Sequence, residues 1–397
     1  MGGWRDRTTA AQAVRGAVRP LVEIAADPAL RAAWARLARD ASDANPFWGP
    51  DFLVPLMRGR RVPCAVVLAE DGAGGPRLLA FLPLARTAGV PGLLPARLEG
   101  LRHPMIVDTT PLLDRTDPQG AAAALVETLA AHAPGAVLRL PLCVAGATAD
   151  ALDAAAAQAG LATARVDGFA RAAISRDGTA EPSTRKRKEL RRAATALARA
   201  GTATYETVSG ADVGAGVAAF LALERSGWKG AAGTALACAP ETRAFADAAL
   251  SSGSVAPRVV VDLLRVDGRP VAASVHILAG DRGGTFKCAY DERFAKASPG
   301  QLLDAWTAER VRAGEHPARA LDSCAAPGHP IESLWTDRLA VDDRLIALSA
   351  SPRGARLARI AERLRRLDGA VGRAKAWARR RLGRRETALR APPAQDG

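Results

Sequence analysis

Between Arg258 and Tyr290 three apolar runs follow one another almost without interruption: Arg258 to Val266, Pro270 to Leu278 and Gly284 to Tyr290. Short turns at Asp267-Gly268 and Asp281-Arg282-Gly283 join them. Connections this short leave no room for a crossover, so the three runs must pair as an antiparallel meander. Helical patterns precede it at Ala211 to Ser226 and Glu241 to Leu250. A helix from Pro299 to Ala313, a strand near Arg319 to Cys324 and a final strand near Arg338 to Leu348 come after. The basic helix Thr184 to Ala200 and a strand at Thr202 to Val208 open this half. Elements in this order require an α/β (α+β) fold in which helices cover a mixed sheet.

The first half repeats the style. A strand is expected at Leu21 to Ala25, a helix at Leu30 to Ala41 and, after the Asn45-Pro46 breaker, a short helix near Phe52 to Met57. Cys64 to Ala69 and Leu78 to Ala85 flank Asp71-Gly72 as a hairpin. Helices at Gln119 to Ala133 and Thr148 to Ala159, the second with Thr148 as N-cap, enclose a strand at Ala136 to Leu142. A chain of 397 residues exceeds what one growing core serves. Two domains are therefore expected, 18–180 and 181–350, with a basic amphipathic helix at 351–386 and disordered ends at 1–17 and 387–397.

The formal net charge is +14, and its location decides what it means. Between Arg353 and Glu386 stand 13 Lys or Arg against Glu362, Asp368 and Glu386, a net +10 that leaves the body near +4. Nucleic acid is thus not the expected partner of the body. In the tail, Leu357, Ile360, Leu364, Leu367 and Val371 step by three and four beside an arginine face. Such a helix either lies on an anionic membrane or packs on the body. The run Arg185-Lys-Arg-Lys188 with Arg191-Arg192 either binds phosphate-rich ligands or is a solvated face. Five scattered cysteines without a CxxC pair argue against a disulfide framework and a structural zinc. No metal is expected, and a cytoplasmic protein, at most peripheral to the inner membrane face, fits the absence of an apolar leader or span.

Candidate chemistry concentrates between Glu224 and His329. Val213, Val217, Phe220 and Leu221 form a helical stripe that Glu224 continues, so this carboxylate points inward. It serves either as a general base for an attacking amine or hydroxyl or as a buried partner of Lys229 or an arginine. Trp228 and Lys229, in a glycine-flanked turn, shape a substrate mouth unless Trp228 is a core plug. In the strand Thr285 to Asp291, alternation puts Phe286, Cys288 and Tyr290 on one face and Lys287, Ala289 and Asp291 on the other. Tyr290 could protonate a departing thiolate, or be an ordinary half-buried strand tyrosine. Lys296, Ser298 at an N-cap, Pro299, Gly300, Gln301 and Leu302 make a helix start whose free amides and dipole suit a pyrophosphate. Asp322, or His329 in its Pro-Gly loop, is placed to hold or deprotonate an acceptor; His329 is equally readable as a surface residue.

As a set, Leu223 to Gly230, Lys287 to Glu292, Ser298 to Leu302 and the Asp322 to Trp335 loop resemble the CelD/BcsL family of GNAT-like acetyltransferases. Trp34 to Phe47 and Thr110-Pro111-Leu112-Leu113 are similar too, and the resemblance covers about residues 20 to 350. It implies a tandem GNAT-like acyl-CoA N-acyltransferase fold related to the FemAB transferases, with two mixed sheets flanked by helices. It further implies acetyl-CoA as donor, a saccharide or small-molecule acceptor, and a link to cellulose or other extracellular polysaccharide synthesis, with a membrane-bound synthase as partner. Glu224, Lys287, Tyr290, Asp291, Gly300 and Asp322 would surround the cleft. The usual glycine-rich pyrophosphate loop is absent, since Phe294 to Gly300 offers one glycine and Pro299 removes an N–H. The donor therefore stays open between acetyl-CoA and the aminoacyl-tRNA of FemAB relatives, and a non-catalytic scaffold of a synthase is the other reading.

Overall fold

A computed structural model describes residues 14–70, 75–251 and 257–370. Its strands are β1 Arg15–Pro20, β2 Pro63–Glu70, β3 Pro76–Thr87, β4 Arg97–Gly100, β5 Leu112–Leu113, β6 Val137–Val144, β7 Thr163–Ser175, β8 Ala203–Ser209, β9 Arg258–Val266, β10 Arg269–Ala279, β11 Arg282–Tyr290, β12 Ala320–Asp322 and β13 Asp337–Ala347. The helices are α1 Leu21–Ala26, α2 Pro28–Asp40, α3 Pro50–Leu56, α4 Pro118–His132, α5 Ala147–Gln158, α6 Thr184–Ala198, α7 Val213–Ser226, α8 Trp228–Ala231, α9 Pro240–Leu250 and α10 Pro299–Ala313. Residues 354–370 are also helical. Among the described residues no helix is long and apolar enough to cross a membrane.

The meander forms as its turns dictate: β10 pairs antiparallel with β9 on one side and β11 on the other. The strands of both halves join edge to edge in the order β1-β2-β3-β4-β6-β13-β7-β12-β11-β10-β9-β8, with β5 beside β3. β4 with β6 and β11 with β12 are parallel pairs. β13, the last strand among the described residues, lies between β6 and β7 and pairs antiparallel with both. One hydrophobic core draws on α1, α2 and α3 from the first half and on α7, α9, β9 and β10 from the second. Phe52 of α3 sits at its centre, edge-on to Phe245 at 5.2 Å and to Phe286 at 5.4 Å.

Several expectations need correction. Leu21 to Ala25 is a helix, because Leu21 and Ile24 bury one face at a spacing of three, and the strand is the preceding Arg15–Pro20. β7 was not expected at all: Arg165, Asp167, Gly168 and Arg171 break the apolar alternation that marks a strand. Thr148 lies inside α5 rather than capping it; Gly146 holds the cap position, and Asp43 Oδ2 accepts the Thr148 N–H from across the fold at 2.6 Å. In the tail, Leu357, Ile360 and Leu364 are buried against Leu94, Val137, Val166 and Leu345. The apolar seam therefore packs on the body and is not a membrane-facing surface. Leu367 is exposed, and Val371 lies outside the described residues.

Candidate active site

β12 pairs with β11 only at its start, Arg282–Gly284 against Ala320–Asp322. From Thr285 onward that edge of β11 has no partner strand among the described residues. The register against β10 slips here, with Val275 opposite Lys287 and His276 opposite Thr285, so Phe286 is the extra residue of a bulge. The bulge overturns the expected alternation. Phe286 does not share a face with Tyr290; it turns to the α7 side, where its ring meets Phe52 and Phe245, next to Lys287. Tyr290, 40% exposed, stays on the α10 side with its ring beside Gly300.

On α7, Val213, Val217, Phe220 and Leu221 are buried and Glu224 follows them inward. Glu224 Oε1 meets Lys287 Nζ at 3.1 Å and Lys229 Nζ at 3.5 Å, while Oε2 accepts the Leu236 N–H at 2.8 Å. Lys229 also donates to the Cys288 carbonyl at 3.3 Å. The carboxylate thus ties α7, the turn after it and β11 together, with two lysines rather than an arginine as partners. Trp228 is not a core plug. Its ring is 62% exposed beside the Lys229 ammonium, and its backbone N–H donates to Glu292 Oε1 at 2.7 Å.

At the start of α10, Ser298 adopts the left-handed conformation, φ 47° and ψ 52°, and its side chain caps nothing. The expected capping hydrogen bond is therefore absent, because that backbone turn carries the hydroxyl away from the first-turn amides. Pro299 has no N–H, and the Leu302 N–H is taken by the Ser298 carbonyl at 3.2 Å. Leu302 is buried in the core, so it offers a ligand neither amide nor side chain. Gly300 and Gln301 are left as the first-turn amides without an intrahelical acceptor. Gln301 Oε1 accepts from Lys186 Nζ at 2.6 Å, which brings α6 and its exposed Arg185, Arg187, Lys188, Arg191 and Arg192 alongside. Lys296 is exposed one turn earlier. Asp291 is committed locally: it accepts the Arg293 N–H and guanidinium at 3.0 and 2.6 Å, and that bond holds its carboxyl below the usual range.

Asp322 faces a different space, a cavity of about 560 Å3 between the two halves. Its carboxylate meets Arg171 Nη1 at 3.0 Å and accepts the Cys324 N–H at 2.8 Å. Burial raises its pKa, and the guanidinium opposes the rise. Asp108 lines the same cavity, 6% exposed, with Oδ1 accepting the Thr110 N–H at 2.8 Å. Burial pushes its carboxyl up to about 7. The backbone around Asp108 is held rigidly: Asn45 Nδ2 donates to the Asp108 and Thr110 carbonyls at 3.3 and 2.9 Å, Trp48 Nε1 to Thr110 at 2.9 Å, and Arg171 Nη2 to Val107 at 2.6 Å. Cys324 adopts a positive φ of 55°, and its sulfur fills the space that a Cβ on Gly284 would need. Burial drives that thiol well above its ordinary range, which removes it as a nucleophile. His329 does not join the cavity; it is exposed, and its Nδ1 caps the short turn Pro330–Ser333.

Sequence reasoning missed Asp108, Arg171 and a buried network on the α10 side of the sheet. Asp262 Oδ2 meets His276 Nε2 at 3.2 Å, His316 Nε2 at 3.4 Å and the Thr307 hydroxyl at 2.6 Å, while Oδ1 accepts from Thr207 at 2.7 Å. Although burial alone would raise it, the imidazole contacts hold the Asp262 carboxyl far below its ordinary range. Among the described residues this trio is the one group close enough to share a metal ion. The Ala318 N–H donates to His316 Nδ1 at 3.0 Å, however, which puts that ring's proton on Nε2, toward the carboxylate. His316 Nε2, buried at 3.4 Å from the Asp262 carboxylate, makes no hydrogen bond there. A histidine at the centre of the apolar run Val275-His276-Ile277 was the available signal.

Residues 184–327 match the family described as the acetyltransferase (GNAT) domain. Among solved structures, FemX superposes with a TM-score of 0.51 at 10% identity, covering 81% of this chain and 96% of that one. The C-terminal domain (DUF2156) of a putative lysylphosphatidylglycerol synthetase from Agrobacterium fabrum is similar at a TM-score of 0.49 and 15% identity, covering 83% and 92%. L-PGS from Bacillus licheniformis gives 0.46 at 13% identity, covering 86% and 96%. The curated proteins gave no match. The likeness to FemX extends over both halves and fixes the fold, and the matched segment spans α6 to the residues just beyond β12. The fold is tandem GNAT-like, and residues 184–327 carry the likeness to the acetyltransferase (GNAT) domain of an acyltransferase.

Proposed function

We propose that the protein transfers an acyl group from acetyl-CoA to an amine or hydroxyl of a small-molecule or saccharide acceptor. One observation carries this reading: the edge of β11 from Thr285 to Tyr290 has no partner strand among the described residues and ends beside the start of α10, where the Gly300 and Gln301 amides have no acceptor among those residues. An amide-bearing thioester arm can add to such an edge as a strand does, with its phosphates at the helix start and beside α6. The acceptor atom forms its bond to the thioester carbon as the C–S bond breaks, and the acceptor's proton leaves with the sulfur as a thiol; Tyr290, beside the helix start, sits at the phosphate end of the arm and helps to bind it.

Free-thiol release from acetyl-CoA, measured with sugar and amine acceptors, tests the reading. Tyr290→Phe is expected to weaken acetyl-CoA binding by about tenfold with little change in kcat; unchanged binding would remove Tyr290 from the donor site. Acetyl-CoA at a hundredfold excess over its Kd is expected to stabilise the fold by about 2.7 kcal/mol. A second reading, with aminoacyl-tRNA as donor, is favoured by the basic face of α6 beside the helix start. Stabilisation by an aminoacyl-tRNA but by no acyl-CoA would select it, and no response to either would leave a scaffold. The place in cellulose or other extracellular polysaccharide synthesis rests on the sequence resemblance. In that setting the exposed arginines of the tail are the surface offered to a membrane-bound synthase.

A further inference from the structure

We infer that the cavity between the halves binds the acceptor, that the acceptor is an amine carrying an anionic group, and that Asp108, from the first half of the chain, receives its proton. This rests on the acyl-transfer reading and adds the class of the acceptor and the identity of the base.

Position comes first. The cavity wall includes Gly283 and Gly284, the last residues of β11 paired with β12, so it opens where the unpaired edge begins. Lys287 is three residues further, or about 10 Å at the rise of a strand. An acceptor in the cavity and a thioester on the edge meet at the fork between β11 and β12.

Charge comes second. Arg171 is paired with Asp322, so the buried Asp108 carboxyl makes no ion pair among the described residues, and an ammonium is the partner that would hold it ionised. The other carboxylates of the cavity are occupied: Asp43 by the Thr148 N–H, Asp337 by the Ser175 N–H and hydroxyl, Asp322 by Arg171 and the Cys324 N–H. Asp108 holds only Thr110, and a carboxyl with a pKa near neutrality suits proton transfer from an amine. Arg171 Nε, fully buried, has no hydrogen-bond partner among the described residues. At the rim, Arg115 and Arg282 are exposed and make no ion pair among the described residues. They come from opposite halves and suit a phosphate or carboxylate on the same acceptor.

The reaction balances. The ammonium gives one proton to Asp108, the freed nitrogen bonds the thioester carbon, the C–S bond breaks, and the second proton leaves with the sulfur as a thiol. Asn45, Trp48 and Arg171 are positioning residues, since they fix the backbone that carries Asp108.

Calorimetric binding of glucosamine 6-phosphate, glucose 6-phosphate and glucosamine to the full chain tests the inference. The wild type should bind glucosamine 6-phosphate at least about tenfold more tightly than either other sugar. Asp108→Asn should erase the preference for the amine and keep that for the phosphate; Arg282→Ala, which removes an exposed side chain without an ion pair among the described residues, should do the reverse. Equal binding of the three sugars, no binding of any, or an amine preference that survives in Asp108→Asn overturns it. Acetyl-CoA binding by the same proteins separates the two readings: its loss beside an intact amine preference sinks the donor, and the opposite pattern sinks the acceptor site alone.

Discussion

Glu224 has no exposed side-chain surface, yet it touches two ammonium groups and an amide. Glu224→Gln would leave both lysines facing an amide in a largely dry site. Because each lysine is a fifth to a quarter exposed, the expected loss is about 2–3 kcal/mol in urea unfolding. Adding Lys287→Met should recover part of it, which a double-mutant cycle would read as coupling. Asp108 gives a pH dependence of the opposite sense to an ordinary carboxylate. Its folded pKa of about 7 exceeds the unfolded value, so the native state holds a proton that the unfolded chain has lost. Its contribution is fully present below the unfolded pKa and falls as pH rises toward 7. Between pH 5 and 7 the wild type should lose up to about 3 kcal/mol relative to Asp108→Asn, as seen in unfolding midpoints at each pH. The inward direction of Glu224 was legible from helical spacing, but its second partner is 63 residues away in sequence. Asp108 and Arg171 left no such trace, because neither extends a periodic pattern.

Elements bounded by strong local chemistry were the readable ones. α10 begins at Pro299 and ends before Gly314, whose φ of 74° terminates it, and both limits stand in the sequence. The bulge at Phe286 does not, since an extra residue changes no local propensity and is set by the packing of Phe52 and Phe245. β7 was hidden for a related reason: Arg171 is buried inside it and neutralised by an aspartate from another strand. Ser298 supplies a test at this scale. A non-glycine residue in the left-handed region costs roughly 1–2 kcal/mol and here gains no cap in return. Ser298→Gly should therefore raise stability by about 0.5–1 kcal/mol, whereas Ser298→Val should lower it by about 1–2 kcal/mol, both measured by thermal unfolding.

At the scale of the molecule, the aromatic cluster of Phe52, Phe245 and Phe286 and the exchange of β7 and β13 make each half a part of the other's core. Residues 18–180 and 181–350 expressed apart should each lack a cooperative unfolding transition by circular dichroism, and mixing them should restore one only if the β13 seam can re-form. The repeat of element order along the chain showed that there are two halves of similar make. It could not show that they are interleaved, because strand pairing across the chain is fixed by burial on both faces and not by any local signal. The position of β13 also sets when the protein can work. Every residue of the β11 edge and of the α10 start leaves the ribosome before β13 does, so a chain stopped by a premature termination codon between Ala313 and Asp337 would hold those residues without the strand that joins the halves, and is expected to transfer no acyl group.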